Sequence, residues 1–114
     1  MTDAADVIIV YCTVPDTNTG ERIARQLVEY RLAACVNLLP GVTSVYRWKG
    51  RVETEAEVLL MIKARAADYK QMETAIRSQH PYELPEIIAV PVTDGLGEYL
   101  DWVRTIHTTD DGVL

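Results

Sequence analysis

The run His80-Pro81-Tyr82-Glu83-Leu84-Pro85-Glu86 places an imidazole, a phenol and two carboxylates around two prolines, just before the apolar residues Ile87 to Val90. Each proline fixes its own φ and drives the preceding residue out of the helical region, so His80 and Leu84 are held extended in a rigid polar turn. A turn that only reversed the chain could be built from Gly, Asn or Ser. The other reading is that Pro81 stops a helix and Pro85 starts a strand, and the residue types leave both open. Thiolate and imidazole suit a soft or borderline metal ion, with carboxylate as a further donor. Cys12, His80, Glu83 and Glu86 are therefore candidate ligands for such an ion. Neither CxxC nor HxxxH spacing occurs, so such a site would have to be assembled by tertiary or intersubunit proximity. Cys12 and Cys35 equally suit small buried apolar positions in strands.

Ligand binding is a second chemistry. Tyr46, Trp48, Lys63, His80, Tyr82, Glu83 and Trp102 would supply the aromatic walls and few charges of a small-molecule pocket at a subunit boundary. Tyr46 and Trp48 also suit a subunit contact, and Lys63 a solvated position. Catalysis by His80 and Glu83 sharing protons is disfavoured. Ser44 and Ser78 lie in no elbow-type motif, and there is no glycine loop of the kind that cradles nucleotide phosphates. A binding protein is expected, not an enzyme.

The chain of 114 residues has room for a single domain, 1–114, with 48% hydrophobic and 25% charged residues. A formal net charge of −6 removes the basic footprint that phosphate-backbone binding needs and disfavours anionic membranes. No apolar run approaches the roughly 20 residues of a membrane span, and the first six residues are acidic where a secretory signal would be basic. The two cysteines lie in apolar, strand-like text that suits reduced thiols. A soluble cytoplasmic protein is expected, with neither nucleic acid nor membrane as partner.

The elements that must position these groups read clearly. Val7 to Val14 is an apolar, β-rich strand closed by Pro15. Asn18 and Glu21 have capping-box spacing, and Ile23, Leu27 and Tyr30 recur at helical intervals to about Leu32. Cys35 to Trp48 reads as a strand interrupted by a bend or bulge at Pro40-Gly41, and Lys49-Gly50 as a two-residue hairpin loop. From Val52 to Ala64 the even positions are mostly apolar and the odd ones mostly charged, a period-two strand. Asp68 and Gln71 repeat the capping-box spacing before a helix with Tyr69, Met72, Ala75 and Ile76 in its core stripe. Pro85 to Val92 is the fourth strand, and Tyr99, Trp102, Val103 and Ile106 mark a last helix. Residues 1–6 and 108–114 read as frayed tails. The order β-α-β-β-α-β with an extra C-terminal helix is the split β-α-β, ferredoxin-like arrangement of an α+β protein.

The long strand carries a further consequence. Its 15 residues, at about 3.4 Å each, span roughly 50 Å. A compact chain of this size has a radius of gyration near 13 Å, hence a diameter of roughly 34 Å. One end of the hairpin must bend or project, and a projecting hairpin with an apolar face and open edges calls for cover by another subunit.

Four ordered segments, CTVPD at Cys12 to Asp16, LAACVNLLPGVTSVYRWKG at Leu32 to Gly50, HPYELPEI at His80 to Ile87 and YLDW at Tyr99 to Trp102, resemble the CutA family linked to divalent-cation tolerance. The resemblance implies a ferredoxin-like protomer in a tight homotrimer whose long hairpins wrap neighbouring subunits, similar to the PII-type nitrogen signal proteins. It also implies a part in the response to copper and other divalent metals. Family-type metal ligation, with copper or another divalent ion as the implied cofactor, maps to Cys12 and His80, with an acidic residue of the HPYELPE turn. A PII-like sensor binding a small ligand between subunits, without metal, is the alternative.

Overall fold

The computed structural model describes residues 6–106. Its elements run β1 (Val7–Val14), α1 (Thr17–Glu29), β2 (Cys35–Trp48), β3 (Arg51–Arg65), a 3-10 turn at Ala66–Asp68, α2 (Tyr69–Gln79), β4 (Ile87–Pro91) and α3 (Gly97–Thr105). The sheet has the order β2-β3-β1-β4 with every neighbouring pair antiparallel, the ferredoxin-like α+β arrangement read from the sequence. Even positions of the two central strands turn toward the helices. Val10, Cys12 and Val14 of β1 and Leu60 and Ile62 of β3 meet Ile23 and Leu27 of α1 and Met72 and Ile76 of α2 in one sealed core. A smaller cluster forms where α3 closes the other side of the sheet on Val7 and Ala34 through Leu100 and Val103.

The hairpin extends the molecule as its length requires: the principal extents are 48 × 26 × 24 Å and the radius of gyration is 14.9 Å. Lys49 and Gly50 both take positive φ, +51° and +82°, which matches the twist of the flanking strands in a two-residue loop. At Pro40-Gly41 the register with β3 shifts: Leu38 opposes Leu60 before it, whereas Val42 opposes Glu57 after it. The even residues of β2 therefore change faces. Beyond the bulge Ser44, Tyr46 and Trp48 share a face with Glu57, Glu55 and Glu53, away from the helix-side core. On the opposite face of the same segment Val45 and Val52 stand 66% and 65% exposed, so the outer part of the hairpin lacks cover from its own chain.

Several local expectations change. Helix α1 is capped by Asp16, whose carboxylate accepts from the Thr19 N–H at 2.7 Å, so Asn18 falls inside the first turn and the Asn18/Glu21 box does not form. The helix stops at Glu29 and leaves Tyr30 exposed, because Arg31 adopts φ +60° and turns the chain into β2. Asp68 does precede α2, but both its oxygens accept from the Arg65 guanidinium at 3.0 Å, which removes it from the helix cap. Strand β4 begins at Ile87, two residues after Pro85, because the turn continues through Pro85 and Glu86. In α3 the buried pair is Leu100 and Val103, while Tyr99 remains exposed. The expected frayed tails lie outside the described residues except for Asp6, whose carboxylate accepts from Arg104 at 3.0 Å.

Candidate functional site: a cleft between hairpin and turn

The outer hairpin and the turn between α2 and β4 enclose an open cleft of about 920 Å³. One wall carries Ser44, Tyr46, Trp48 and Glu57, and the other runs through Pro81, Tyr82, Glu83 and Glu86. The bulge at Pro40-Gly41 is what puts Tyr46 and Trp48 on this wall, since an unbroken alternation would have turned them to the other face.

Two hydrogen bonds hold the turn. The His80 ring is buried against β1, with Nε2 2.8 Å from the Thr13 carbonyl and Nδ1 3.2 Å from the Tyr82 N–H. A carbonyl only accepts and an amide N–H only donates, so the ring carries its proton on Nε2. Pro81 keeps His80 extended at φ −77°, ψ 133°, where α2 ends. The Tyr82 hydroxyl then donates to Glu57 Oε2 at 2.7 Å, joining the turn to the hairpin. Burial and the adjoining Glu57 carboxylate push the Tyr82 phenol well above its ordinary range. Glu57 is only 8% exposed, and sequence reading missed it as one of three alternating glutamates on a charged edge. Its signal was the bulge opposite it, which turns this position toward the aromatic residues of β2.

At the rim, the Lys49 ammonium lies 5.6 Å from the centre of the Trp48 ring and 3.8 Å from Glu83 Oε1. Tyr46, on the inner wall, is faced by Glu55, Glu53 and Glu57; partial burial, then these carboxylates, raise its phenol above the ordinary value.

The four candidate metal donors are not gathered into a common site. Cys12 is fully buried on the helix side of β1, its thiol directed at the Thr13 carbonyl 3.8 Å away. Burial, followed by the fields of Glu86 and Glu57, pushes that thiol from 9.0 up to about 12. His80 spends both ring nitrogens on backbone partners, and Glu83 and Glu86 are exposed on the turn. Among the described residues no group of three or more His, Cys, Asp or Glu side chains could hold a metal ion. A protonated thiol sealed in a core and an imidazole with no free lone pair do not fit a resident copper ion.

Of the expected pocket residues, Tyr46, Trp48, Tyr82 and Glu83 meet in the cleft. Lys63 and Trp102 lie elsewhere. The Lys63 ammonium is 3.9 Å from the Cys35 sulfur, across the strand pair, and Trp102 packs on Tyr99 of α3 at 5.6 Å between ring centres.

A sequence profile described as "CutA1 divalent ion tolerance protein" matches residues 8–106. The divalent-cation tolerance protein CutA of Thermus thermophilus is 46% identical over 96 residues, covering 84% of this chain and 93% of that protein. Protein CutA of Homo sapiens is 47% identical over 100 residues, but this chain spans only 56% of its length. The crystal structure of CutA from Xylella fastidiosa superposes with a TM-score of 0.86 at 48% identity, over 89% of this chain and 97% of that one.

Proposed function

Because this chain belongs to the CutA1 divalent ion tolerance protein family, we propose that it serves in the response to divalent metal ions as a homotrimer whose working site is the cleft. The observation that carries this reading is the outer hairpin. One of its faces lines the cleft, and the other presents Val45 and Val52 without cover from the same chain. Burying that face against another copy is favourable by about 25 cal/mol per Å² of apolar surface. It would also hold the cleft wall in place.

The role is binding or signalling, not catalysis: the His80 imidazole beside the cleft is committed to Thr13 and Tyr82. A PII-like use of the cleft, in which a small ligand binds beside the subunit contact, is favoured over copper ligation by Cys12 and His80, because the cleft is open and the thiol is sealed. Metal ions are then what the protein responds to and not its resident cofactor. The cytoplasm is the proposed compartment, and the net charge of −6 argues against a nucleic-acid partner.

Sedimentation at micromolar concentration tests the assembly. Three times the mass of one chain is expected, and dissociation by Val45→Glu together with Val52→Lys. A wild type that sediments as a single chain overturns the reading. Deleting the gene and challenging cells with Cu(II), Zn(II) and Co(II) tests the role: loss of tolerance should be restored by the wild type and not by the dissociated variant.

A further inference from the structure

We infer that the cleft recognises an organic ammonium ion, of the polyamine class, through the Trp48 face and the carboxylates that ring it. This rests on the cleft's being the working site. The chain already contains the interaction in miniature. Its own Lys49 ammonium lies within the roughly 6 Å reach of a cation–π contact over Trp48 and beside the Glu83 carboxylate. Lys49 and Glu83 have side chains 70% and 73% exposed, and a pair so open to solvent contributes little and is displaced at little cost. A soluble amine can take the same seat.

Charge and shape agree with that occupant. Glu57, Glu83 and Glu86 border the cleft, and Glu53 and Glu55 face Tyr46 from the neighbouring strand. Arg47 also borders it, but strand alternation points it to the opposite face from Tyr46 and Trp48, where it opposes Val52; Arg51 opposes Trp48 on Trp48's own face, at the hairpin tip, and is outnumbered there by the five carboxylates. A small hydrated metal ion needs several oxygen donors converging at 2 to 2.6 Å by general coordination rules. The described residues offer no such group. A long amine needs only spaced carboxylates and an apolar, aromatic wall for its methylenes, and Tyr46, Trp48 and Tyr82 provide that wall along a cleft of about 920 Å³.

The test is an NMR titration of the assembled, full-length protein with spermidine, using magnesium chloride at matched ionic strength as a charge control and glutarate as an anionic control. Spermidine is expected to shift the resonances of Trp48 and Tyr82. Its binding should weaken by about two- to fivefold in Glu83→Gln and in Trp48→Leu, the range of one exposed cation–π or ion contact. Lys49→Asn removes the internal competitor, and Asn tolerates the positive φ of that position, so spermidine should bind this variant about two- to fivefold more tightly. Magnesium that moves the same resonances and displaces spermidine, with Trp48→Leu without effect, overturns the proposal in favour of diffuse acidic attraction. Glutarate binding in the cleft with spermidine inert overturns the cation class and leaves the ligand-binding reading standing. Silence of Trp48 and Tyr82 toward all three overturns both.

Discussion

Replacing Cys12 by alanine should change stability with a sign that reverses between neutral and alkaline pH. The fold holds this thiol's proton by sealing the sulfur in the core, and the Glu86 and Glu57 carboxylates add to the effect, raising it from 9.0 to about 12. A group whose folded pKa is raised contributes its full stability below the unfolded pKa and loses it as pH climbs through the folded one. Each unit is worth about 1.4 kcal/mol, so the wild type should lose roughly 1 kcal/mol by pH 10, roughly 3 by pH 11 and roughly 4 once the window from 9 to 12 is passed. At pH 7 the variant forfeits one buried sulfur, roughly 1 kcal/mol for transfer and residual cavity together. The two stability curves should therefore cross close to pH 10, about where the alkaline loss first equals the packing gain.

Urea unfolding followed by circular dichroism at pH 7, 9, 10 and 11, at one fixed protomer concentration, reads this out. Tyrosine and lysine titration is common to both proteins and cancels in the difference. Midpoints that stay parallel through pH 11 would refute the reasoning, because the thiol would then not be holding a proton against the bulk. The same bias toward the protonated thiol opposes a thiolate bond to Cu(I).

Cu(I) stoichiometry by native mass spectrometry should be the same for wild type and Cys12→Ala, and loss of bound copper in the variant would restore the thiolate site. Tyr82→Phe removes the donor to the buried Glu57 carboxylate and should cost about 1.5–3 kcal/mol in denaturant unfolding; Glu57→Gln in the same background should recover part of that loss, and no recovery would mean the charge is not what is being satisfied. Gly50→Val, at φ +82°, should destabilise the hairpin by about 1 kcal/mol or more, whereas Lys49→Asn should be neutral or slightly stabilising, and equal effects from both would contradict the turn geometry.

Order, period and length were local properties and could be read directly from the residues. Alternation from Val52 to Ala64 made β3, its 15 residues made a projection unavoidable, and Lys49-Gly50 left no room for anything but a hairpin. His80, Tyr82 and Glu83 could be singled out because prolines on either side restrict their backbone whatever surrounds them. Side-chain partners are a different kind of property, set by packing between segments far apart in the chain.

Even local choices were open: Asp16 caps α1 in place of Asn18, and Arg65 takes Asp68, each through a partner three residues away. Lys63 and Trp102 read as neighbours of Tyr82, yet Lys63 lies on the cleft's own face of β3 but far along the strand from Glu57, beside Cys35, and Trp102 packs on Tyr99 of α3. A shift of register between Leu39 and Val42 exchanges the faces of β2, and only that exchange brings Tyr46 and Trp48 to the buried Glu57. The sequence alone determined the split β-α-β protomer with its long hairpin and rigid HPYELPE turn. Tertiary structure decided that Cys12 faces the core, because the helices pack on the even face of β1, and that the aromatic residues face the cleft, because one bulge can invert a strand while the period-two pattern on either side of it stays intact.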